Sequence, residues 1–397
     1  MSIPEKKWLN VIPIATDWEF YHTKDYILAK GEIFKDWSDI LVVQLPISLL
    51  VHFVTNFKRK ILGLFRGKYK TFKIHDNITV FTPVMLFHYL LWNKFKITFQ
   101  IDKFFYLKQL NKFINQCYPG KKIIQWVYHP DLNILVGELK YDFLVYDYQD
   151  NFNYNFEGKY LPEIAKINHD LISKSNLVLC TAKIMYEDSK IFNNNSYYLP
   201  NGNNYQLISS FKENESNPRR NLNFDKPIIG YVGGLRNWLN FELIEYLLKN
   251  MDYCNFVFIG LIYKNFRNQV KYLEKYRNFF HLDYVPLCDL SGYLKSFKMG
   301  IIPFRINNFS VGIFPNKFFE YMAAGIPIVT TPLVELEKFK DIIWYSESDE
   351  QFLENCKNIL RNDTSNKLKY YSSLAEKNSW TNKAKKVNNI LNSLIEE

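Results

Sequence analysis

Val311-Gly312-Ile313-Phe314-Pro315-Asn316-Lys317-Phe318-Phe319-Glu320-Tyr321-Met322-Ala323-Ala324-Gly325-Ile326-Pro327-Ile328-Val329 is the stretch on which the fold turns. Pro315 presets the backbone for a first helical turn. Gly325 supplies a C-terminal stop, and Pro327 opens a strand over Pro327–Thr330. The helix between them spans Asn316–Ala324. Phe318, Phe319, Met322 and Ala323 can face a sheet, while Lys317 and Glu320, three apart, share another face. A cation in the first turn opposes the macrodipole, which alone costs roughly a few tenths of a kcal/mol. A diphosphate at the helix start reverses that sign, because free N–H groups and Lys317 both meet it. Glu320, one turn deeper, is an acceptor suited to a sugar diol. The plainer alternative is an exposed Lys–Glu pair on a surface helix.

Working outward, apolar runs of strand length alternate with segments of helical period. Strands are expected at Pro227–Val232, Asn255–Ile259 and Gly300–Pro303, with helices at Phe241–Asn250, Phe266–Tyr276 and Leu290–Phe297. The first half alternates in the same way, with strands at Asn10–Ala15, Ile40–Leu45, Ile78–Phe81, Lys122–Val127, Phe143–Tyr146 and Leu177–Cys180. Its helical patterns are Phe104–Cys117, Glu163–Ser173 and Ala182–Phe192. Buried strands alternating with helices mean parallel sheets covered on both faces. A polar stretch, Lys212–Asp225, separates the halves. The expected fold class is therefore α/β, with two Rossmann-like domains facing across a cleft. Ligands in such sheets bind beyond the carboxyl ends of the strands. The expected units are residues 1–210, a linker at 211–226, residues 227–378, and a final helix at 379–397 packing back on the first domain.

The chain has 397 residues, enough for two or three domains. Hydrophobic residues make up 47% and charged residues 23%, which excludes a disordered chain. Five widely spaced cysteines without C-x-x-C spacing argue against a disulfide framework or zinc knuckle and fit a reducing compartment. Met1-Ser2-Ile3-Pro4-Glu5-Lys6-Lys7-Trp8 does not read as a signal peptide. No run of apolar residues is long enough for a spanning helix. The expected location is cytoplasmic, peripheral at the inner face of the cell membrane.

P-N-K-F-F-E-Y-M-A-A-G-I-P-I-V, followed by Thr330 and Thr331, resembles the donor-binding signature of GT-B glycosyltransferases, particularly family-4-like (group 1) bacterial enzymes. Further motifs carry the resemblance along nearly the whole chain. Ile229-Gly230-Tyr231-Val232-Gly233-Gly234-Leu235-Arg236 is similar to the strand and glycine loop opening the C-terminal domain. Tyr198-Leu199-Pro200-Asn201-Gly202 resembles l-P-N-G-v-D. Tyr146-Asp147-Tyr148-Gln149-Asp150-Asn151-Phe152 resembles Y-D-x-x-D-x-f, and Ser379-Trp380-Thr381 resembles the s-W-x opening the last helix. The resemblance implies that Lys317 binds the donor diphosphate and Glu320 the ribose hydroxyls, with the base met by the segment around Val285. It implies a metal-independent transfer of a hexose-type sugar from a nucleotide sugar, UDP before other bases, to a glycan or lipid-linked glycan of cell-surface polysaccharide. No cofactor is expected beyond that donor. Two departures stand out. Gly312 occupies the position where many retaining members have a glutamate, and Asn203 or Asn204 replaces the aspartate after N-G.

Gly233 and Gly234 lack Cβ atoms, so phosphate can approach the backbone there, and Arg236 adds a charge. Asn316 and Gly312 complete the expected donor side. In the N-terminal half, Ala15-Thr16-Asp17-Trp18-Glu19-Phe20-Tyr21-His22 resembles the family's D-W segment. Asp17, Asp150 and His22 are candidate bases, and Trp18 and Asp147 are candidate acceptor-side residues. An inverting transfer needs such a base, whereas a retaining one needs none. Asp17 and Asp150 as helix or turn caps is the structural alternative. No D-x-D pair is present, so a metal-bridged diphosphate is not expected.

The net charge is +10. Residues 40–75 contain no acid, yet Lys58, Arg59, Lys60, Arg66, Lys68, Lys70 and Lys73 crowd among Leu and Phe. Such a run suits an anionic membrane surface, with solvated lysines as the plain alternative. No nucleic-acid-binding motif accompanies it, and no nucleic-acid partner is expected. Two other readings suit this fold: a nucleotide-sugar 2-epimerase, and a degenerate nucleotide-sugar-binding subunit.

Overall fold

The computed structural model describes residues 7–14, 18, 24–44, 46–48, 71–87, 95–130, 139–210 and 225–396. Asp17, His22, the cations from Lys58 to Lys70 and most of the expected linker lie outside them.

The N-terminal domain is built on β1 (Trp8–Pro13), β2 (Ser38–Val43), β4 (Phe72–His75), β5 (Ile78–Phe81), β7 (Lys122–Val127), β8 (Phe143–Tyr148), β9 (Leu177–Cys180) and β10 (Ser196–Tyr198). They form one sheet in the order β10-β9-β8-β7-β1-β2-β5-β4. Every pair is parallel except β4 with β5, which is antiparallel. β3 (Ile47–Ser48) and β6 (Val84–Met85) form a small separate pair. The helices are α1 (Lys24–Phe34), α2 (Lys96–Cys117), α3 (Pro162–Lys174), α4 (Lys183–Phe192) and α5 (Tyr205–Ser209).

In the C-terminal domain, β11 (Ile228–Val232), β12 (Asn255–Ile259), β13 (Phe279–Leu282), β14 (Met299–Ile302), β15 (Ile328–Thr330) and β16 (Trp344–Tyr345) make a parallel sheet ordered β13-β12-β11-β14-β15-β16. Around it lie α6 (Phe241–Asn250), α7 (Arg267–Leu273), α8 (Leu287–Ser296), α9 (Lys317–Ala324), α10 (Asp349–Arg361), α11 (Ser365–Leu368) and α12 (Tyr371–Lys377). The last helix, α13 (Trp380–Glu396), returns to the N-terminal domain. Its Ala384, Val387 and Leu391 are buried in the same core as Ile27 and Phe34 of α1.

Some elements differ from expectation or lie outside it. α1, for which no helix was expected, carries Gly31 and a buried Lys30. The glycine is a packing requirement, since a Cβ there would lie 2.3 Å from Ile78 Cδ1. α2 begins at Lys96 rather than Phe104, and Asp102, fully buried within it, interrupts the apolar period that marks its later turns. That carboxylate accepts the backbone N–H groups of Leu86 and Phe87, which offsets the cost of its burial. α7 is shorter than Phe266–Tyr276, because Lys264–Phe266 forms a separate 3₁₀ turn before it.

The two domains are joined by hydrogen bonds at the hinge. Asn201 Nδ2 donates to Phe314 O (2.8 Å). Gly202 lets Trp380 close in, as a Cβ would lie 2.7 Å from its ring. Asn203 donates to Ala375 O (2.7 Å) and accepts from Trp380 N–H (2.9 Å). The P-N-G and S-W-T motifs, about 180 residues apart in the sequence, therefore form one joint, and Asn203 is part of it. On the other side, Glu335 accepts from the N–H of Lys183 at the start of α4 and from Tyr198 OH.

Candidate donor site at the domain cleft

α9 runs from Lys317 to Ala324 and ends at Gly325 in the left-handed region (φ 70°). Phe318, Phe319, Tyr321, Met322 and Ala323 are buried. Tyr321 OH accepts the N–H of Val232 (3.0 Å), the residue before the glycine loop. This bond sets the first turn of α9 against the carboxyl end of β11.

Lys317 is only 8% exposed. Its Nζ lies 4.7 Å from the Phe304 ring centroid and 5.0 Å from that of Tyr231. A Cβ at Gly233 would come within 3.3 Å of Nζ. Among the described residues no hydrogen-bond acceptor or ion-pair partner reaches this ammonium. Burial lowers its pKa to about 8, with Glu320 opposing the shift. Burial raises Glu320 to about 7, with Lys317 opposing and Asp25 adding to the rise. Asp25 stands in the first turn of α1, in the other domain. Its own pKa is raised by burial and opposed by Lys24 and by a hydrogen bond from Asn204. Two carboxylates, one from each domain, thus lie within electrostatic range.

Gly233 has φ 137° and Gly260, after β12, has φ 147°. A Cβ on Gly260 would sit 2.3 Å from Gly233 O. Gly260 was not legible as a site residue, because its necessity comes from a neighbouring strand. Gly234 faces Tyr263 and Arg236, and the Arg236 guanidinium carbon lies 4.4, 4.5 and 4.6 Å from the rings of Tyr263, Trp238 and Phe156. Lys317 and Arg236 thus flank consecutive glycines, whose missing Cβ atoms let Tyr231, Lys317 and Tyr263 pack close to the loop backbone. Asn316 Oδ1 is buried and unpartnered among the described residues. Val285 is half-buried at the entry to α8.

Gly312 packs against the other domain, where a Cβ would lie 2.6 Å from Asn151 Cβ. A glutamate at that position is excluded in this arrangement. Of the N-terminal candidates, Asp150 keeps a solvent-facing surface just past the carboxyl end of β8. The protein around it partly desolvates the carboxylate and raises its pKa, opposed by Arg236 across the cleft. Asp147 is 3% exposed and receives Trp126 Nε1–H at 3.1 Å. Burial pushes its pKa up to about 6, opposed by Lys30 and that hydrogen bond. Lys30 itself is enclosed by Trp126, Tyr26 and Tyr128 and donates to Tyr128 OH (2.9 Å). Asp147 is therefore committed to a buried polar cluster rather than presented to an acceptor. Trp18 is 4% exposed and belongs to the core, its N–H held by Gln44 Oε1 at 3.0 Å.

Two Rossmann-like domains with parallel sheets, meeting at a cleft, define the GT-B fold. The comparisons agree in part: residues 226–362, most of the C-terminal domain, match the family model "Glycosyl transferases group 1". TuaH of Bacillus subtilis (strain 168), assigned to teichuronic acid biosynthesis as a glycosyltransferase, is 23% identical over 278 residues, 64% of this chain and 69% of that one. Among solved structures, sucrose-phosphate synthase from Thermosynechococcus elongatus superposes with a TM-score of 0.74 at 11% identity, covering 98% of this chain and 99% of that one. Anabaena HepE in complex with UDP and glucose gives 0.66 at 13% identity, over 98% and 100%. The E. coli trehalose-6-phosphate structure with UDP-2-fluoro glucose gives 0.68 at 11%, over 96% and 98%.

Proposed function

We propose that this glycosyltransferase moves a hexose-type sugar from a UDP-sugar to a lipid-linked glycan in cell-surface polysaccharide assembly, without a metal ion. The observation that carries the donor assignment is the buried, unpartnered Lys317 ammonium beside Gly233. Glu320 offsets part of the burial cost of this cation, but no acceptor reaches it, which is costly, and a diphosphate at the start of α9 supplies acceptors. Lys317, Arg236 and the first N–H groups of α9 then offset the charge that grows on the leaving diphosphate. Glu320 accepts from the ribose diol, and Val285 lies where the base is expected. Asp150 is the candidate base if the transfer inverts the anomeric centre. The name of TuaH supports an acceptor in surface polysaccharide, and the nucleotides in the HepE and E. coli structures support UDP.

The direct test incubates the protein with radiolabelled UDP-hexoses and a bacterial lipid extract in excess EDTA. Transfer of label into lipid is expected. Release of free epimerised nucleotide sugar would favour a 2-epimerase, and UDP binding with no turnover on any acceptor a binding subunit. Loss of transfer in EDTA, restored by Mn²⁺, would remove the metal-independent reading.

Affinity for UDP should depend on pH in both directions. Below about pH 7 Glu320 takes up a proton and loses acceptor capacity, and above about pH 8 Lys317 loses its charge. Titration calorimetry from pH 6 to 9 should show an optimum between these values. A flat profile would detach the pair from binding.

An anionic membrane surface is the proposed partner of the Lys58–Lys73 region, placing the protein at the inner face of the cell membrane. Among the described residues no helix is long and apolar enough to cross a membrane. Lys73 is exposed on the edge strand β4. Each cation near an anionic surface contributes about 1 kcal/mol, weakened by salt. Co-sedimentation with anionic vesicles at low salt is expected, lost in a variant neutralised at Lys58, Arg59 and Lys60. No sedimentation at low salt would leave the acceptor soluble.

A further inference from the structure

We propose that Phe156, carried by the N-terminal domain, is a positioning residue that holds Arg236 of the C-terminal domain ready for the donor diphosphate. The inference rests on the reading of Arg236 as a diphosphate ligand.

Phe156 sits at the tip of a closed loop that leaves the carboxyl end of β8. Tyr154 and Tyr160 pair as an antiparallel bridge across it. Leu161 N–H donates to Asn153 O (2.8 Å) and Asn155 N–H to Lys159 O (2.9 Å). Gly158 turns the tip with φ 80°. The loop is therefore stiff by its own hydrogen bonds. Its tip crosses to the other domain, where Asn307 Nδ2 donates to Phe156 O (3.0 Å) and Asn308 Nδ2 to Gly158 O (3.1 Å). The Phe156 ring meets Phe309 edge-on at 4.8 Å.

Arg236 has three aromatic neighbours. Trp238 and Tyr263 come from its own domain, and Phe156 is the neighbour supplied from across the cleft. Nε donates to Asn237 Oδ1 (3.2 Å), and the other guanidinium N–H groups find no acceptor among the described residues. Aromatic faces attract a guanidinium without using its N–H donors. The cage therefore fixes the cation while leaving its fork open for a phosphate. A cation ordered in advance loses less freedom when the anion arrives. Because one wall belongs to the other domain, the full cage exists only when the two domains are apposed. Asp150, at the foot of the same loop, lies within electrostatic range of Arg236.

The test measures UDP and uridine affinity by titration calorimetry. Phe156→Leu keeps apolar volume and removes the ring. It should weaken UDP about fivefold, the scale of a partly exposed cation–π contact, and leave uridine unchanged. Phe156→Tyr should restore binding. In an Arg236→Ala background, Phe156→Leu should add nothing. Wild-type UDP affinity in Phe156→Leu, an equal loss for uridine, or a further loss in the Arg236→Ala background would overturn the inference while leaving Arg236 a ligand. Undiminished UDP binding by Arg236→Ala would remove the donor reading of that residue and the inference with it. If the leucine variant does not fold, Asn308→Ala, which frees the loop tip, should reproduce its selective loss. Unchanged UDP affinity there would overturn the proposal.

Discussion

Lys317→Ala should weaken UDP and UDP-sugars alike by about 1.5–3 kcal/mol, the range for a charged hydrogen bond, or roughly 10- to 150-fold. The ammonium is buried between Tyr231 and Phe304 beside Gly233, so its loss removes the innermost charge of the proposed diphosphate cradle. Because Lys317 opposes the burial-driven rise at Glu320, the stability of the free variant reads any structural share of its role. The two readouts separate a ligand role from a structural one. Glu320→Ala should weaken UDP but leave inorganic pyrophosphate unaffected, because the carboxylate is assigned to the ribose. Calorimetry giving wild-type UDP affinity in both variants would show that α9 does not hold the donor.

The second large effect is expected at Gly260. Alanine there meets two obstacles. The backbone sits at φ 147°, where side chains are strained, and the new Cβ would overlap Gly233 O at 2.3 Å. Strain and overpacking together should destabilise the C-terminal domain by on the order of 3 kcal/mol. That lowers its thermal midpoint by about 6–12 °C. Any structural relief must come from moving Gly233, which carries the wall against Lys317. UDP affinity should therefore fall even at temperatures where Gly260→Ala is fully folded. Thermal unfolding by circular dichroism, paired with UDP titration at 15 °C, tests both parts. A midpoint and affinity equal to wild type would mean that the two glycine loops are free to separate.

Much of the fold and part of the candidate donor site are local properties of the chain. The alternation of strands and helices is written in short apolar runs. The strands Ile78–Phe81, Lys122–Val127, Leu177–Cys180 and Asn255–Ile259 fall where the pattern puts them, because burial on both faces demands continuous apolar residues, and the helix Phe241–Asn250 does so because Leu243, Ile244, Leu247 and Leu248 share its buried face. Lys317 and Glu320 share a helix three residues apart, and helical geometry alone brings them to one end of it. Other features depend on segments distant in sequence. Asp25 reaches Glu320 electrostatically only because the fold brings the start of α1 within range of α9. Asp147, read as an acceptor contact, is instead held by Trp126 beside Lys30, a lysine whose burial no charge pattern announces. Trp18 turns inward to the core. Gly312 has no room for a side chain, because Asn151 of the other domain fills the space. The reason is the same in each case. Periodicity and capping are set by neighbours in sequence, whereas burial, close approach and electrostatic partnership are set by whatever packing brings alongside.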